Sequence, residues 1–166
     1  MEKIPRVGLG TWKAPANEVT DSIRFAIEEA GYRHIDCAYV YQNQKAVGVA
    51  LHDLLSRNVV KREDIWITSK LWSTDHEPER VEAACRQTLE ELQIEYLDLY
   101  LIHWPMSFPH GGDLWPFEED NDKKLKLINV PIIDTWKAME KLVEKGLVRH
   151  IGVSNFTVEL LEKLLY

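Results

Sequence analysis

GYRHIDCAYVY, residues 31–41, is the stretch that decides the fold of this chain. It contains a short apolar strand, predicted at residues 33–36, that ends at an acid, Asp36, with Tyr41 shortly beyond it. Strand ends are rigid and the loops after them are exposed, so α/β folds present their chemistry there. We therefore expect Asp36 and Tyr41 to lie at the functional face of the protein.

Outward from this stretch, strand patterns alternate with helix patterns. Strands are predicted at residues 7–10, 33–36, 65–71, 96–102 and 147–152, and apolar residues at helical spacing follow each strand. The helix boundaries are marked by Gly31 and Gly146 as stops, Pro78 and Pro131 as starts, and Asn43 as a candidate cap. This alternation is typical of βα units around a parallel sheet.

Successive βα units form either an open doubly wound sheet or part of a closed eight-stranded barrel. The first strand-to-helix turn, GLGTWKAP at residues 8–15, has no third glycine at the spacing of the dinucleotide-binding fingerprint. We therefore predict the α/β class and a (β/α)8 TIM barrel, with residues 1–166 forming a single domain of about the first five units. Eight units typically need about 250 residues, so we expect the N-terminal portion of a longer protein or a fragment that needs a partner.

The connection between the fourth strand and the fourth helix, residues 104–130, shows no hydrophobic periodicity. Its prolines, its glycines and a charged run at residues 118–124 make it longer than most connectors in compact domains. Loops of this length are usually functional or mobile, and we expect this one to be a lid.

Composition and charge argue against several classes of protein. The net charge is −7 and the isoelectric point is near 5.4, whereas surfaces that bind nucleic acid are basic as a rule. No apolar run approaches the roughly 20 residues of a membrane span, and the first residues are not a basic, apolar leader with small residues, so we expect neither membrane association nor a signal peptide. Cys37 and Cys85 lack the spacing of a metal site or a disulfide scaffold, so we expect no metal and a reducing cytoplasm.

Polar residues stand at the ends of four successive predicted strands. Asp36, Lys70 and His103 lie at or near the ends of the second, third and fourth strands, and Ser154 and Asn155 follow the fifth. Taken singly, each has a structural explanation, such as a turn cap, a snorkelling lysine or a satisfied core histidine. Parallel strands end at one rim, so together these residues indicate a site, in which Ser154 and Asn155 are able to bind a carboxamide.

The residue types at this rim suit the reduction of a carbonyl group. Tyrosine, with a free pKa of about 10, keeps its proton at neutral pH and yields it to a developing alkoxide. Lys70 beside Tyr41 would favour release of that proton, and Asp36 would hold Lys70 charged and in place. Neutral His103 is suited to orient the carbonyl oxygen, while the hydride must come from a cofactor.

Three tryptophans, Trp12, Trp72 and Trp104, directly follow the first, third and fourth predicted strands. They either cap the barrel core or ring an apolar substrate pocket at the rim. Their equivalent positions on three strands favour the pocket, whose ligand would be a small-molecule carbonyl compound.

Five motifs follow one another along the chain. They are GLGTW at residues 8–12, GYRHIDCAYVYQN at 31–43, SKLW at 69–72, LDLYLIHWP at 97–105 and GVSNF at 152–156. Through them, and over essentially its whole length, the chain resembles the aldo-keto reductases, in the branch of aldose reductase. The resemblance implies an eight-stranded barrel, NADPH bound without a Rossmann motif, and a catalytic tetrad of Asp36, Tyr41, Lys70 and His103. It also implies cofactor contacts from Thr11, Trp12, Asp36, Ser154 and Asn155, and a substrate pocket of Trp12, Trp72, Trp104 and Trp115.

The chain departs from this family pattern in three places. Only the end of an N-terminal β-hairpin is expected, at residues 1–6. Gln44 stands where many relatives carry an acid, and we expect it to affect helix capping rather than catalysis. The family's last three strands, with its groups for the adenosine 2′-phosphate, have no counterpart in these 166 residues, so NADPH is expected from the resemblance alone.

The leading hypothesis is an NADPH-dependent reductase of small aldehydes or ketones. The alternatives are a non-catalytic barrel protein with a binding or structural role, which does not require the intact tetrad, and an incomplete fragment without activity. We expect the full-length protein to be a monomer, and an isolated set of five units to self-associate through its unpaired strand edges.

Overall fold

Five parallel strands form one sheet, and two short antiparallel strands form a second. The structure is a computed structural model that describes residues 4–165, so the hairpin end expected at residues 1–6 lies partly outside the described residues. The strands, in chain order, are β1 (Leu9–Gly10), β2 (His34–Asp36), β3 (Trp66–Leu71), β4 (Leu97–Ile102), β5 (Phe117–Glu118), β6 (Asn121–Leu125) and β7 (Val148–Val153). The order of the larger sheet is β1, β2, β3, β4, β7, and all of its neighbouring pairs are parallel.

Five α-helices connect and flank these strands. They are α1 (Ala16–Glu28), α2 (Gln44–Ser56), α3 (Pro78–Leu92), α4 (Ile132–Glu144) and α5 (Val158–Leu165). The alternation predicted from the sequence is therefore confirmed, together with the α/β class. The strands of the larger sheet follow the chain without the reversal of order that defines a doubly wound sheet, as they do in a (β/α) barrel.

The core lies between the sheet and the inner faces of the helices. Every residue of β3 is buried, since helices cover one face of this central strand and the barrel interior lies on the other. Ile23 of α1 and Leu51 of α2 are at most 1% exposed, and burial of such a side chain contributes about 1.5–3 kcal/mol. Gly48 permits the close approach of α2 to α3, because a Cβ there would overlap the Glu91 carbonyl oxygen.

The predicted helix boundaries agree with the structure, with one exception in detail. Gly31 and Gly146 have φ values of 72° and 70°, the left-handed conformation that ends a helix at little cost for glycine. Pro78 opens α3, as its ring geometry favours. Asn43 occupies the N-cap position of α2, but its side chain makes no capping hydrogen bond.

The connection at residues 104–130 is more ordered than its sequence indicates. Within it, β5 and β6 form an antiparallel hairpin, so the absence of regular structure predicted for this segment is wrong. The hairpin was not predictable from the sequence, because β6 reads NDKKL and lacks the alternation of apolar and polar residues that is typical of a half-buried strand. Earlier in the segment, Phe108 is 1% exposed and its backbone N–H donates to the Ser73 carbonyl.

Candidate active site

The ends of the parallel strands bring the predicted polar residues to one rim. Backbone hydrogen bonds continue past the regular strands: Thr11 N–H donates to Asp36 O, His103 N–H to Leu71 O, and Ser154 N–H to Ile102 O. The residues that follow β1, β4 and β7 are thus held level with the neighbouring strand ends. Asp36 itself is the last residue of β2.

Lys70 is the centre of the site. Its side chain lies in β3 and is buried, with 6% of the residue exposed. The ammonium Nζ donates to Asp36 Oδ1 at 2.7 Å, to the Cys37 carbonyl at 2.8 Å and to Tyr41 Oη at 3.2 Å. An ammonium has three N–H donors and no acceptor, so these three partners use its full capacity and compensate its burial.

The contact with Lys70 determines the hydrogen-bonding role of the Tyr41 hydroxyl. Because an ammonium only donates, Tyr41 Oη accepts from Lys70 and keeps its own O–H for a different partner. The Lys70 Nζ also lies 4.9 Å from the centre of the Tyr41 ring, which places the positive charge beside the phenol. The half-buried tyrosine therefore has a cation next to its oxygen and an O–H that Lys70 does not occupy.

His103 completes the predicted group of four. Its ring lies edge-to-face with Tyr41, with 5.8 Å between the ring centres. Burial, together with the positive charge of Lys70, lowers the pKa of His103 to about 4, so the imidazole is neutral at pH 7. Its Nδ1 is buried and has no hydrogen-bond partner among the residues that the structure describes. The structure thus brings Asp36, Tyr41, Lys70 and His103 together.

The four predicted pocket tryptophans separate into two pairs. Trp72 is 1% exposed and packs edge-to-face against His103 at 5.3 Å and against Trp115 at 4.7 Å, measured between ring centres. Its Nε1–H donates to the Leu114 carbonyl at 2.9 Å, which attaches residues 104–130 to the end of β3. Trp12 and Trp104 are exposed, by 65% and 36%, and neither contacts the four-residue group through a ring interaction within residues 4–165.

The residues predicted to bind the nicotinamide carboxamide lie beside His103. Asn155 Nδ2 donates to the His103 carbonyl at 2.8 Å and to Ser154 Oγ at 3.1 Å. Both N–H groups of the Asn155 amide are therefore used, which leaves its Oδ1 to accept and the Ser154 hydroxyl to donate. A primary carboxamide needs one acceptor and one donor of this kind, so these residues fit the group. Asn155 also has a left-handed φ of 61°, a conformation that clusters at functional sites.

Thr11 is buried, and its hydroxyl donates to the Asp36 carbonyl at 3.0 Å. Together with the backbone bond between the same two residues, this contact holds the end of β2. Thr11 therefore supports the position of Asp36, and its predicted contact with the cofactor stays a prediction.

The sequence analysis named Asn43 and Gln44, shortly after Tyr41, but missed the contacts that these two buried carboxamides make. Asn43 donates to the carbonyls of Thr11 and Ala14 at 2.8 and 3.0 Å instead of capping α2. Gln44 is 2% exposed and bonds to residues of β3 and α3, so the expectation that it affects helix capping is wrong. Both partners of Gln44 are distant in the sequence. The residues around Gln44 are polar, so the local sequence does not indicate that its side chain is buried.

Two further properties of the described residues bear on the class of site. In residues 4–165, no group of three or more histidine, cysteine or acidic side chains is arranged to hold a metal ion. Within the same residues, no helix is long and apolar enough to cross a membrane.

The sheet order and the polar rim are those of (β/α)-barrel proteins, and comparison with known proteins specifies the family. The model of the Aldo/keto reductase family matches residues 6–166. Aldo-keto reductase family 1 member A1 of Gallus gallus is 47% identical over 165 residues, which are 99% of this chain and 50% of that protein. The protein therefore belongs to the aldo/keto reductase family, a family of oxidoreductases.

Solved structures agree with this assignment. The aldose reductase of Schistosoma japonicum superposes with a TM-score of 0.94 at 52% identity, covering 99% of this chain and 54% of that one. The aldose reductase of Giardia lamblia gives a TM-score of 0.95 at 51% identity, with the same coverage. The predicted TIM-barrel family is thus confirmed, and the chain spans about half the length of the relatives it matches.

Proposed function

We propose that the protein reduces small aldehydes and ketones to alcohols with NADPH, and that Tyr41 donates the proton. The observation that supports this role is the geometry of Lys70, whose three donors are all used and one of which is directed at Tyr41 Oη. The reduced nicotinamide, when bound, supplies the hydride that no side chain is able to provide. The family of the chain supports this class of chemistry.

Tyr41 acts as general acid in this proposal. As the alkoxide develops on the substrate, Tyr41 gives up its proton, and the Lys70 cation 3.2 Å from its oxygen stabilises the phenolate. Asp36, at 2.7 Å from Lys70, balances the lysine charge and holds its side chain toward Tyr41. The three side chains therefore form one proton-donating unit, with Tyr41 as the member that touches the substrate.

His103 orients the carbonyl group of the substrate. Because burial lowers its pKa to about 4, the ring is neutral at physiological pH and carries one N–H to donate to the carbonyl oxygen. A neutral donor polarises this oxygen without competing with Tyr41 for the role of acid. Trp72 packs against His103, Trp115 packs against the far side of Trp72, and the two rings would supply apolar walls for the substrate, with Trp12 and Trp104 at the outer edge.

Ser154 and Asn155 would hold the nicotinamide carboxamide, with Thr11, Trp12 and Asp36 as further contacts to the cofactor. The Asn155 Oδ1, which accepts no hydrogen bond within residues 4–165, and the Ser154 hydroxyl support the carboxamide contact. The preference for NADPH over NADH rests on the family resemblance.

Residues 104–130 act as a lid over this pocket in the proposal. The bond from Trp72 Nε1 to the Leu114 carbonyl and the burial of Phe108 support a lid that is docked on the end of β3.

We further propose that the full-length protein is a monomer that works in the cytoplasm. Cys37 and Cys85 are free thiols and are buried, which is usual for proteins of a reducing compartment.

The decisive experiment replaces Tyr41 with phenylalanine in the native protein. We expect Tyr41→Phe to lower kcat for aldehyde reduction by about 100- to 10,000-fold, the usual contribution of a positioned general acid. Quenching of tryptophan fluorescence by NADPH should be unchanged in this variant, because the ring remains. Tyr39→Phe, in the same short helix, serves as the matched control and should keep its rate. A Tyr41→Phe protein with the wild-type rate would contradict the mechanism.

A further inference from the structure

Tyr41 is not held by the sheet. It ends a short 3-10 helix, Tyr39–Tyr41, and is followed by Gln42 in the left-handed conformation, with a φ of 57°. Its only backbone N–H bond within the described residues reaches back to Ala38. Lys70, in contrast, lies inside β3, where ladder bonds fix the backbone. A separate set of contacts must therefore set the distance between the two side chains.

Gln44 provides such a contact. It lies three residues after Tyr41, at the start of α2, and is 2% exposed. Its Oε1 accepts a hydrogen bond of 2.6 Å from Ser69 Oγ, and its Nε2 donates to Glu91 Oε2 at 2.9 Å. The chain segment that carries Tyr41 is thereby tied to both β3 and α3.

Ser69 directly precedes Lys70 in β3 and is 0% exposed. Successive side chains of a strand point to opposite faces, so Ser69 faces the helices while Lys70 faces the rim with Tyr41. These contacts form a ring of covalent and hydrogen bonds. The chain runs from Tyr41 to Gln44, Gln44 is hydrogen-bonded to Ser69, and Lys70, which follows Ser69, is hydrogen-bonded to Tyr41. The Gln44–Ser69 bond and the Lys70–Tyr41 bond therefore connect the same two segments of chain.

We propose that Gln44 and Ser69 are positioning residues that keep Tyr41 Oη within hydrogen-bond distance of Lys70 Nζ. The inference rests on the proposed function for its kinetic consequence, since Tyr41 is the proton donor there. Gln44 touches neither substrate nor cofactor in this role. It acts on Tyr41 through the chain between residues 41 and 44, and on Lys70 through its bond to Ser69.

The chemistry of the Gln44 site explains why a carboxamide is suited to it. Ser69 offers a donor and Glu91 offers an acceptor, so the residue between them must accept on one side and donate on the other. Gly48, one helical turn further along α2, allows α2 to come close enough for the contact with Glu91. A carboxylate at position 44 would satisfy Ser69 and repel Glu91.

The test compares variants of Gln44 in the native protein. Gln44→Met keeps the length of the side chain and removes both hydrogen bonds, and we expect kcat to fall roughly 10- to 100-fold because small misplacements are costly in catalysis. KM and the quenching of fluorescence by NADPH should stay at wild-type values. Ser69→Ala, which removes one bond with little change in volume, should lower kcat in the same direction.

Exchanging the residue types at positions 44 and 91 tests whether the lost rate is recovered. Gln44→Glu alone should lower kcat, because two carboxylates then face each other. Adding Glu91→Gln restores the donor and acceptor pattern and should recover most of the rate. Gln87→Ala removes the other hydrogen bond to Glu91, from an exposed position, and should leave the rate unchanged.

A crystal structure of Gln44→Met without cofactor gives a readout that is independent of activity. We expect the distance between Lys70 Nζ and Tyr41 Oη to increase from 3.2 Å to beyond hydrogen-bond range, about 3.5 Å. An unchanged distance and kcat, with only a lower melting temperature, would overturn the inference. If the wild-type protein lacks reductase activity, the proposed function fails, while this distance still decides whether Gln44 positions Tyr41.

Discussion

Asp36 Oδ1 and Lys70 Nζ lie 2.7 Å apart across the parallel pair β2 and β3. Lysine is buried here and aspartate is partly exposed, with 7% and 35% of their side chains accessible. The pair is therefore not a surface ion pair, because the lysine charge has left water and needs the aspartate. It joins the second and third strand ends and directs the remaining lysine donors toward Cys37 O and Tyr41.

Replacing Asp36 with asparagine removes the negative charge of this pair and keeps the size of the side chain, so it measures what the charge contributes to stability and rate. We expect Asp36→Asn to lower the free energy of unfolding by about 1–2 kcal/mol, less than for a fully buried pair because Asp36 is partly solvated. We also expect kcat for carbonyl reduction to fall about 10-fold or more, since the lysine loses its compensating charge. Urea unfolding and steady-state kinetics measure the two effects. Asp21→Asn, in an exposed ion pair with Arg24, should change neither quantity.

His76 should make the stability of the protein depend on pH. Burial lowers its pKa to about 4 in the folded protein, whereas an unfolded histidine titrates near about 6.5. Below pH 6.5 the unfolded state binds a proton that the folded state refuses, so stability is complete above this pH and is lost as the pH falls toward 4. Between pH 7 and pH 4.5 the loss from His76 should be about 2 kcal/mol.

Urea unfolding at these two pH values checks this contribution. His76→Gln should show a smaller difference between the two pH values than the wild type, by about 2 kcal/mol. His52→Gln, at an exposed position of α2, should keep the wild-type difference. Equal pH dependence in wild type and His76→Gln would assign the titration to other groups.

Trp72 should anchor the connection at residues 104–130. Trp72→Phe keeps an aromatic ring against His103 and Trp115 but removes the bond from Nε1 to the Leu114 carbonyl. A lost hydrogen bond of about 1 kcal/mol corresponds to roughly 5-fold more frequent local opening. We expect limited proteolysis within residues 104–130 to become faster by that factor.

Trp136→Phe is the matched control for the anchor. It removes an equivalent Nε1 bond, to Glu140 at 3.0 Å on α4, away from this connection. Its cleavage rate should equal that of the wild type. If Trp72→Phe is cleaved no faster than this control, residues 104–130 are held in place by other contacts.

The amino-acid sequence alone determined the order of the βα units and the residue types at the rim where the parallel strands end. Periodicity, Gly146 and Pro78 are local signals, so the strands and helices follow from short stretches of chain. Asp36, Lys70 and His103 were predictable as a group because parallel strands end at one rim, whatever the details of packing. The hairpin formed by β5 and β6 was not predictable, since its polar strands are stabilised by pairing and not by a buried face.

Only the tertiary structure decided which side chains meet. Trp72 with Trp115 and Gln44 with Ser69 are pairs far apart along the chain, and nothing in their local sequence marks them as partners. Hydrogen bonds and ring contacts depend on distances of a few ångströms, which the packing of α2 and of residues 104–130 against β3 determines. The stretch at residues 31–41 thus specifies an acid and a tyrosine, and the fold determines the distances at which Lys70 and Gln44 connect them to β3.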